Sequence, residues 1–233
     1  MTTTLVTGGN RGLGRETVRR LVELGHTVYL GARDAASGRA VAEQLGAQFV
    51  QLDVTDDDSV TAAAAEITRR EGRLDVLINN AGIFEGMVPP QDVTVAQLTA
   101  VFEVNVFGAV RVTTAFLPLL QASAAPVIVN IGTGLGSFGV VTDPARTESK
   151  YPVPIYAASK AALHMLTVQY AKGLPDVRVN AVEPGFTATE LHGMSGPGIQ
   201  SVQEGVDVIV RMATIGADGP TGTFTDRDGQ LPW

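Results

Sequence analysis

Short apolar segments alternate with longer amphipathic ones along most of the chain. The apolar segments are rich in valine, leucine and isoleucine, which is typical of strands that are buried on both faces of a sheet. The longer segments have the apolar spacing of helices that cover a sheet with one face. We predict strands at 4–7, 27–30, 48–52, 74–78, 126–131, 177–182 and 222–225. We predict helices at 12–24, 35–45, 56–71, 95–121 and 201–212, and one that carries 156–166.

Strands and helices that alternate in this way predict a parallel sheet with helices on both faces. Right-handed crossovers then give an α/β fold with a doubly wound, Rossmann-type sheet. No linker divides the chain, so we expect a single domain over 1–233. Ligands of such folds bind at the carboxyl ends of the strands. We therefore expect two substrate loops there, at about 133–154 and 185–200.

The composition excludes several classes of function. The chain has 233 residues and a net charge of -7, which does not favour nucleic-acid binding. It contains no cysteine, and its three histidines are scattered, so we predict no metal site. We find neither a signal-peptide pattern nor a long uninterrupted apolar run, so we expect a cytoplasmic protein that does not enter a membrane.

The first predicted strand leads into a glycine-rich turn that opens a helix. Glycines let the backbone approach a pyrophosphate, and the start of the helix supplies N–H donors and the positive end of a dipole. The alternative is a tight turn that merely requires glycine. The order strand, glycines, helix favours a dinucleotide site. We predict that its cofactor-binding residues are Thr7, Gly8, Asn10, Arg11, Gly12, Leu13 and Gly14.

The end of the second strand indicates which dinucleotide binds. An acidic residue there would accept the ribose hydroxyl of NAD, but the chain has Ala32 at this position, followed by Arg33. Two guanidinium groups, Arg11 and Arg33, favour the 2′-phosphate of NADP(H). Asp34 leaves an alternative open, because its carboxylate could pair with Arg33 in place of the 2′-phosphate.

A tyrosine and a lysine four residues apart form the candidate catalytic pair. Tyr156 and Lys160 lie on one face of the predicted helix. An ammonium group near a phenol favours the phenolate, so we expect a lowered pKa for Tyr156 and a role in proton transfer. Such a pair taken alone is more often a packed phenol and a solvated amine. We interpret His164, one turn further on, as a packing residue.

Taken together, these motifs resemble the short-chain dehydrogenase/reductase family, and most of all its bacterial carbonyl-reductase-like members. The resemblance runs from Thr7 to about Gly229 and implies Tyr156 and Lys160 as the catalytic pair. It implies that Asn105 is a catalytic residue that orders a water beside the lysine. It also implies further cofactor-binding residues at Asp53, Val54, Asn80, Ala81, Gly82, Pro184, Gly185, Thr187 and Thr189, with Tyr156 and Lys160 contacting the cofactor too.

The chain departs from the family pattern in two places. The strand that usually ends in a catalytic serine ends here in Thr133, whose hydroxyl we expect to hydrogen-bond the substrate oxygen. Ser137 is the rival for that role. The segment 133–154 is also longer than usual and holds Phe138, Val140, Val141 and Tyr151, so we expect it to wall the substrate site.

The resemblance implies an NADPH-dependent reductase that converts a ketone or aldehyde to an alcohol, with Tyr156 as the proton donor. The small-molecule substrate is expected to be medium-sized and apolar, because Phe186, Leu191, His192 and Met194 lie in the second loop. The resemblance also implies a homodimer or homotetramer. The alternatives are a non-catalytic NADP(H)-binding regulator and an NAD-dependent alcohol or sugar dehydrogenase.

Overall fold

A parallel sheet forms the centre of the molecule. The computed structural model describes residues 1–189, 196 and 198–233, and within them the sheet has seven strands in the order β3-β2-β1-β4-β5-β6-β7. All of its strand pairs are parallel. The strands are β1 (Thr3–Thr7), β2 (Thr27–Ala32), β3 (Gln48–Gln51), β4 (Val76–Asn79), β5 (Val127–Ile131), β6 (Arg178–Val182) and β7 (Phe224–Thr225). Every predicted strand is confirmed, with ends that move by at most a few residues.

Helices cover both faces of this sheet, as the sequence predicts. They are α1 (Gly12–Glu23), α2 (Ala35–Leu45), α3 (Asp57–Glu71), α4 (Val95–Phe102), α5 (Gly108–Gln121), α6 (Phe138–Val141), α7 (Pro154–Gly173), α8 (Val202–Gly205) and α9 (Asp207–Ala213). Side chains of α1, α2 and α9 pack in one apolar cluster, and side chains of α3 and α5 pack in the other. The doubly wound, Rossmann-type α/β fold and its single domain are therefore confirmed.

Alternate strand residues divide between the two clusters. In β1, for example, Leu5 belongs to the cluster with α3 and α5, whereas Val6 belongs to the cluster with α1 and α9. Both side chains are fully buried. A strand that is buried on both faces can carry apolar side chains at successive positions, which explains the continuous apolar segments.

Side-chain caps fix where several helices begin. Asp34 accepts a hydrogen bond from the Ser37 amide at the start of α2, and Asp56 caps α3 in the same way. The predicted capping box at Ser201 is present, with Glu204 completing it. The predicted single helix over 201–212 is wrong in one respect, because it is interrupted at Val206 and continues as α9.

The predicted helix over 95–121 is confirmed but contains a wider π-helical turn. The segment Glu103–Phe107 is π-helical, and the amide of Gly108 donates to the carbonyl oxygen of Glu103. By length and composition alone, the stretch Val95–Gln121 is apolar enough to cross a membrane. In this fold Val112 and Phe116 of the stretch are fully buried in the core beside the sheet.

The segment between β5 and α7 is more structured than the sequence suggested. We predicted a substrate loop at about 133–154, but this segment contains α6 and two turns of 3₁₀ helix, Gly134–Gly136 and Glu148–Lys150. Ser137 allows this, because its hydroxyl accepts a hydrogen bond from the Val140 amide and donates one to the carbonyl oxygen of Pro232.

Candidate active site

A cleft of about 350 Å³ crosses the carboxyl ends of the strands, where the fold predicts a ligand site. It contains every predicted cofactor-binding residue except Thr7, and every predicted catalytic residue except Asn105. Its lining joins residues from loops that are far apart in sequence. The predicted residues in the lining are Gly8, Asn10, Arg11, Gly12, Leu13, Gly14, Arg33, Asp53, Val54, Asn80, Ala81, Gly82, Thr133, Tyr156, Lys160, Pro184, Gly185, Thr187 and Thr189.

The glycine turn leaves room that side chains would fill. Gly8 has a φ of 63°, in the left-handed region that favours glycine. A Cβ on Gly14 would lie 2.3 Å from the carbonyl oxygen of Gly8, so only glycine fits there. The turn therefore presents bare backbone at the start of α1, as binding of a pyrophosphate requires.

Thr7 holds this turn in place from outside the cleft. Its buried hydroxyl donates to the carbonyl oxygen of Ile78 and accepts hydrogen bonds from the amides of Asn80 and Ala81. The Asn80 side chain in turn donates to the carbonyl oxygens of Thr7 and Gly8. Thr7 therefore has a positioning role, because its hydroxyl joins β1 to the end of β4.

The end of β2 presents a positive charge to the cleft. Arg33 lines it, and its guanidinium group makes no hydrogen bond or ion pair with any residue that the structure describes. Asp34 does not pair with it, because the Asp34 carboxylate caps α2. Burial raises the pKa of Asp53, but hydrogen bonds from Thr55 and the charges of Arg33 and Arg111 outweigh it and hold that pKa below its usual range. This corner suits an anionic group.

Tyr156 and Lys160 lie next to each other at the opposite end of the cleft. Both are buried in α7, and the Lys160 Nζ is 5.6 Å from the centre of the Tyr156 ring. The Lys160 Nζ donates a hydrogen bond of 2.8 Å to the carbonyl oxygen of Ile131 at the end of β5. The rings of Phe84 and Tyr156 pack in a T-shaped pair, with their centres 5.4 Å apart. These contacts fix both functional groups at the cleft wall.

The expected fall in the pKa of Tyr156 is wrong for the free chain. Burial raises the pKa of the phenol above its usual value, and the carboxyl groups of Glu183 and Glu85 raise it further. Burial also lowers the pKa of Lys160 to about 8, and the lysine charge does not offset these effects on the phenol. The prediction considered the lysine and omitted the cost of removing a phenolate from water.

Asn105 lies behind the cleft and joins the loop after β4 to α7. Its Oδ1 accepts a hydrogen bond of 2.8 Å from the Ile83 amide, and its Nδ2 donates to the Ile83 carbonyl oxygen and to the Ser159 hydroxyl. Ser159 then donates to the carbonyl oxygen of Tyr156. The side chain of Asn105 thus helps to position the helix that carries Tyr156 and Lys160.

Thr133 stands where the family resemblance implies the third catalytic hydroxyl. It lines the cleft with Tyr156, whereas Ser137 is fully buried outside it and is engaged with Pro232. The Thr133 amide donates to the Nε2 of His164 at 3.4 Å. A Cβ at Gly132 would lie 2.4 Å from that same nitrogen, so a serine in place of Gly132 would not fit. The geometry therefore favours Thr133 over Ser137.

Glu183 is a cleft residue that our sequence analysis missed. It follows β6 directly, its side chain is buried, and it lines the cleft together with Thr133, Tyr156 and Lys160. The Gly185 amide donates to Oε1 at 2.9 Å. Burial raises the pKa of Glu183 to about 8. Its place at a strand end was the available signal, but the resemblance drew attention only to the residues that follow it.

The segment after Glu183 forms the wall near the catalytic pair. Pro184, Gly185, Thr187 and Thr189 line the cleft, and the ring of Phe186 contacts that of Tyr151 from the long segment. Tyr151 is therefore next to the site wall, whereas Phe138 is largely exposed. The remaining predicted loop residues, Leu191, His192 and Met194, lie outside the described residues.

Comparison with known proteins agrees with this geometry. The family described as short chain dehydrogenase matches residues 2–200. A short-chain dehydrogenase of Penicillium roqueforti, anuI, is 37% identical, and the alignment covers 91% of this chain and 88% of that protein. The (-)-isopiperitenone reductase of Mentha piperita is 32% identical over 97% of this chain and 96% of its own length.

A solved structure extends the similarity to the whole fold. The NADPH-bound carbonyl reductase from chicken fatty liver superimposes with a TM-score of 0.88 at 28% identity, covering 100% of this chain and 99% of that one. The matched family, the relatives and the cleft all agree with the resemblance found in the sequence. The chain belongs to the short-chain dehydrogenase/reductase family of oxidoreductases.

Proposed function

We propose that this oxidoreductase uses NADPH to reduce a ketone or aldehyde to an alcohol. The observation that carries the proposal is the shared cleft, in which Tyr156, Thr133 and Lys160 stand at one end and the glycine turn with Arg33 at the other. The first group suits a reacting carbonyl, and the second suits the phosphates of a dinucleotide. A protein that only bound a nucleotide would need the glycine turn and Arg33. It would not need Tyr156, Thr133 and Lys160 in the same cleft.

The residues of the cleft fit NADP(H). Bare backbone at Gly8, Gly12 and Gly14 would hold the pyrophosphate, and Arg33 would hold the 2′-phosphate as a charge-assisted partner. Ala32 stands where an NAD-binding chain would carry a carboxylate. The chicken relative was solved with NADPH, which agrees with this assignment.

The chain's own groups would polarise the carbonyl and deliver a proton. Reduced nicotinamide, when bound, supplies the hydride. The hydroxyl groups of Tyr156 and Thr133 would donate hydrogen bonds to the carbonyl oxygen and stabilise the negative charge that develops on it. Tyr156 would then release its proton to that oxygen. Its high pKa in the free chain keeps the phenol protonated, as a proton donor must be.

Lys160 would return the proton to the phenolate that remains. Its pKa of about 8 lies close to neutral pH, so it can give up a proton and regain one from solvent. Its ammonium form would also stabilise the phenolate through the short separation from the ring.

The proposal is tested by replacing Tyr156 with phenylalanine. The variant keeps the ring and its contact with Phe84 but has no hydroxyl, so we expect kcat to fall by about 100-fold or more while the Kd for NADPH stays within about twofold. The rate of NADPH oxidation with a panel of ketones and aldehydes measures kcat. A fluorescence titration measures the Kd for NADPH. Unchanged turnover by the variant would refute the role of Tyr156. Tight NADPH binding by the wild type with no turnover on the panel would indicate a non-catalytic regulator.

The choice of cofactor is tested by replacing Arg33 with alanine. Loss of the guanidinium group should lower kcat/KM for NADPH by about tenfold or more and leave that for NADH nearly unchanged, because only NADPH carries the 2′-phosphate. The wild type should lose NADPH affinity with added salt, and the variant should lose much less. Arg15, whose guanidinium group contacts Gln44 away from the cleft, provides a matched control as Arg15→Ala. A variant that keeps its preference for NADPH would contradict the assignment.

A further inference from the structure

The two carboxyl oxygens of Glu183 differ in their hydrogen bonding. Oε1 accepts the hydrogen bond from Gly185, whereas Oε2 is buried and makes no hydrogen bond of regular geometry with the residues that the structure describes. The nearby Thr133 hydroxyl interacts with the carboxyl group and lowers its pKa, but burial outweighs this effect. The residue as a whole is only 9% exposed. Buried polar atoms in proteins are almost always paired. An unpaired carboxyl oxygen at the wall of a cleft therefore indicates that a ligand supplies the missing partner.

Because of where Glu183 lies, that ligand would sit at the end of the cleft that holds Tyr156, Thr133 and Lys160. Glu183 shares its wall with Thr133, Tyr156 and Lys160, and its charge raises the pKa of both Tyr156 and Lys160. The Glu183 amide donates to the carbonyl oxygen of Thr225, so the backbone is fixed by β7. A group that meets Oε2 therefore lies near the reacting carbonyl.

The charges around Glu183 favour a positive group and disfavour a negative one. The carboxyl groups of Glu148 and Asp226 act on Glu183, and that of Glu85 acts with Glu183 on Tyr156. The basic side chains of Lys160 and Arg146 lie close to this cluster, and both are engaged, because the ammonium group of Lys160 is bonded to the Ile131 carbonyl oxygen and Arg146 pairs with Glu148. An anionic substrate would meet this cluster of carboxyl groups in a site of low dielectric, where repulsion is strong.

Resting on the proposed function, we propose that Glu183 recognises a protonated amine of the substrate, so that the preferred substrates are carbonyl compounds with an amino group near the carbonyl. An ammonium group has three N–H donors, one of which would complete the pairing of Oε2. Burial raises the pKa of Glu183 to about 8, and the positive charge of a bound ammonium group would lower it again and hold the carboxyl group in its ionised form. This replaces the expectation of a purely apolar substrate, which rested on the loop residues alone.

Three ketones of similar size separate charge from shape. They are 3-(aminomethyl)cyclohexanone, 3-ethylcyclohexanone and 3-oxocyclohexanecarboxylate, which carry a positive, neutral and negative substituent on one ring. We expect the wild type to prefer the amine over the ethyl compound by at least about tenfold in kcat/KM, equal to about 1.4 kcal/mol. The carboxylate should be the poorest substrate.

The variant Glu183→Gln then tests whether this preference comes from the carboxyl group. Glutamine keeps the shape and the acceptor for the Gly185 amide, so the ratio of kcat/KM for amine over ethyl compound should fall to near one. The matched control is Glu148→Gln, which removes a neighbouring buried carboxyl group that lies outside the cleft lining and pairs with Arg146, so it should lower the ratio far less than Glu183→Gln does. A titration with NADPH shows whether each variant is folded.

The outcomes distinguish this inference from the proposed function. Reduction of the ethyl compound without preference for the amine, or a preference that Glu183→Gln retains, would overturn the inference and leave the reductase proposal intact. A rise in KM for NADPH with an unchanged amine-to-ethyl ratio would overturn it too, since Glu183 would then contact the cofactor. If none of the ketones is reduced by the wild type, the proposed function fails and the inference fails with it.

Discussion

At the scale of single residues, His164 explains an unusual strand end. Its imidazole lies between Gly132 and the aromatic rings of Phe224 and Trp233, and its Nε2 accepts the Thr133 amide. The sequence revealed that Thr133 replaces a serine, but it could not show that a histidine one turn past Lys160 holds the threonine backbone. We interpreted His164 as a packing residue, and the structure adds this hydrogen bond to that role.

His164 should make the fold sensitive to acid. Burial lowers the pKa of His164 to about 3, with Lys160 lowering it further, so the folded chain excludes a proton that the unfolded chain takes up below its ordinary value of 6.5. Stability from this group is therefore complete above pH 6.5 and is lost as the pH falls. From pH 7 to pH 5 the loss should be about 2 kcal/mol in the free energy of unfolding.

Urea unfolding of the wild type and of His164→Gln at both values of pH measures this effect. Glutamine does not titrate, so the stability difference between the two proteins should narrow by about 2 kcal/mol at pH 5. Glu183 contributes with the opposite sign, because its raised pKa favours folding at low pH, but it does so in both proteins and cancels in the comparison. A difference that is the same at pH 7 and pH 5 would show that His164 is not excluded from protonation.

At the scale of elements, the π-helical turn Glu103–Phe107 connects the loop after β4 to the catalytic helix. Sequence periodicity predicted the long helix because its apolar face is continuous. It could not reveal the wider turn, because one extra residue in a turn barely changes an apolar pattern. The same turn places Asn105 against Ile83 and Ser159. We predicted Asn105 from the family motif, but motif matching could not show that its side chain bonds to Ile83 and Ser159 and is not part of the cleft lining.

Removing the Asn105 side chain should destabilise the protein. Asn105→Ala leaves the Ile83 amide and carbonyl oxygen without their side-chain partner, and each unpaired buried group costs about 1–3 kcal/mol. We expect a total loss of about 3 kcal/mol in urea unfolding. Thr99→Ala on α4 is the matched control, because its hydroxyl bonds within its own helix at an exposed position and should change stability by less than about 0.5 kcal/mol. Equal effects of the two substitutions would contradict this role.

At the scale of the whole molecule, periodicity was enough to predict the sheet, its two helical layers and the edge that carries the cleft. Residues that act through the backbone were predicted well, as with Gly8 and Gly14, because only glycine allows the close approach that they provide. Glu183 was missed because its role depends on burial and on neighbours distant in sequence. The same reason explains the error in the pKa of Tyr156.

The contact between Trp233 and the catalytic helix has a practical consequence. Trp233 is the chain's one tryptophan, and it stacks on Phe224 at 5.6 Å and meets His164 of α7 edge-on. Its carbonyl oxygen also accepts a hydrogen bond from Gly139 in the long segment. The fluorescence of Trp233 should therefore report, without any added dye, on changes in the packing of His164 and Phe224 next to Thr133.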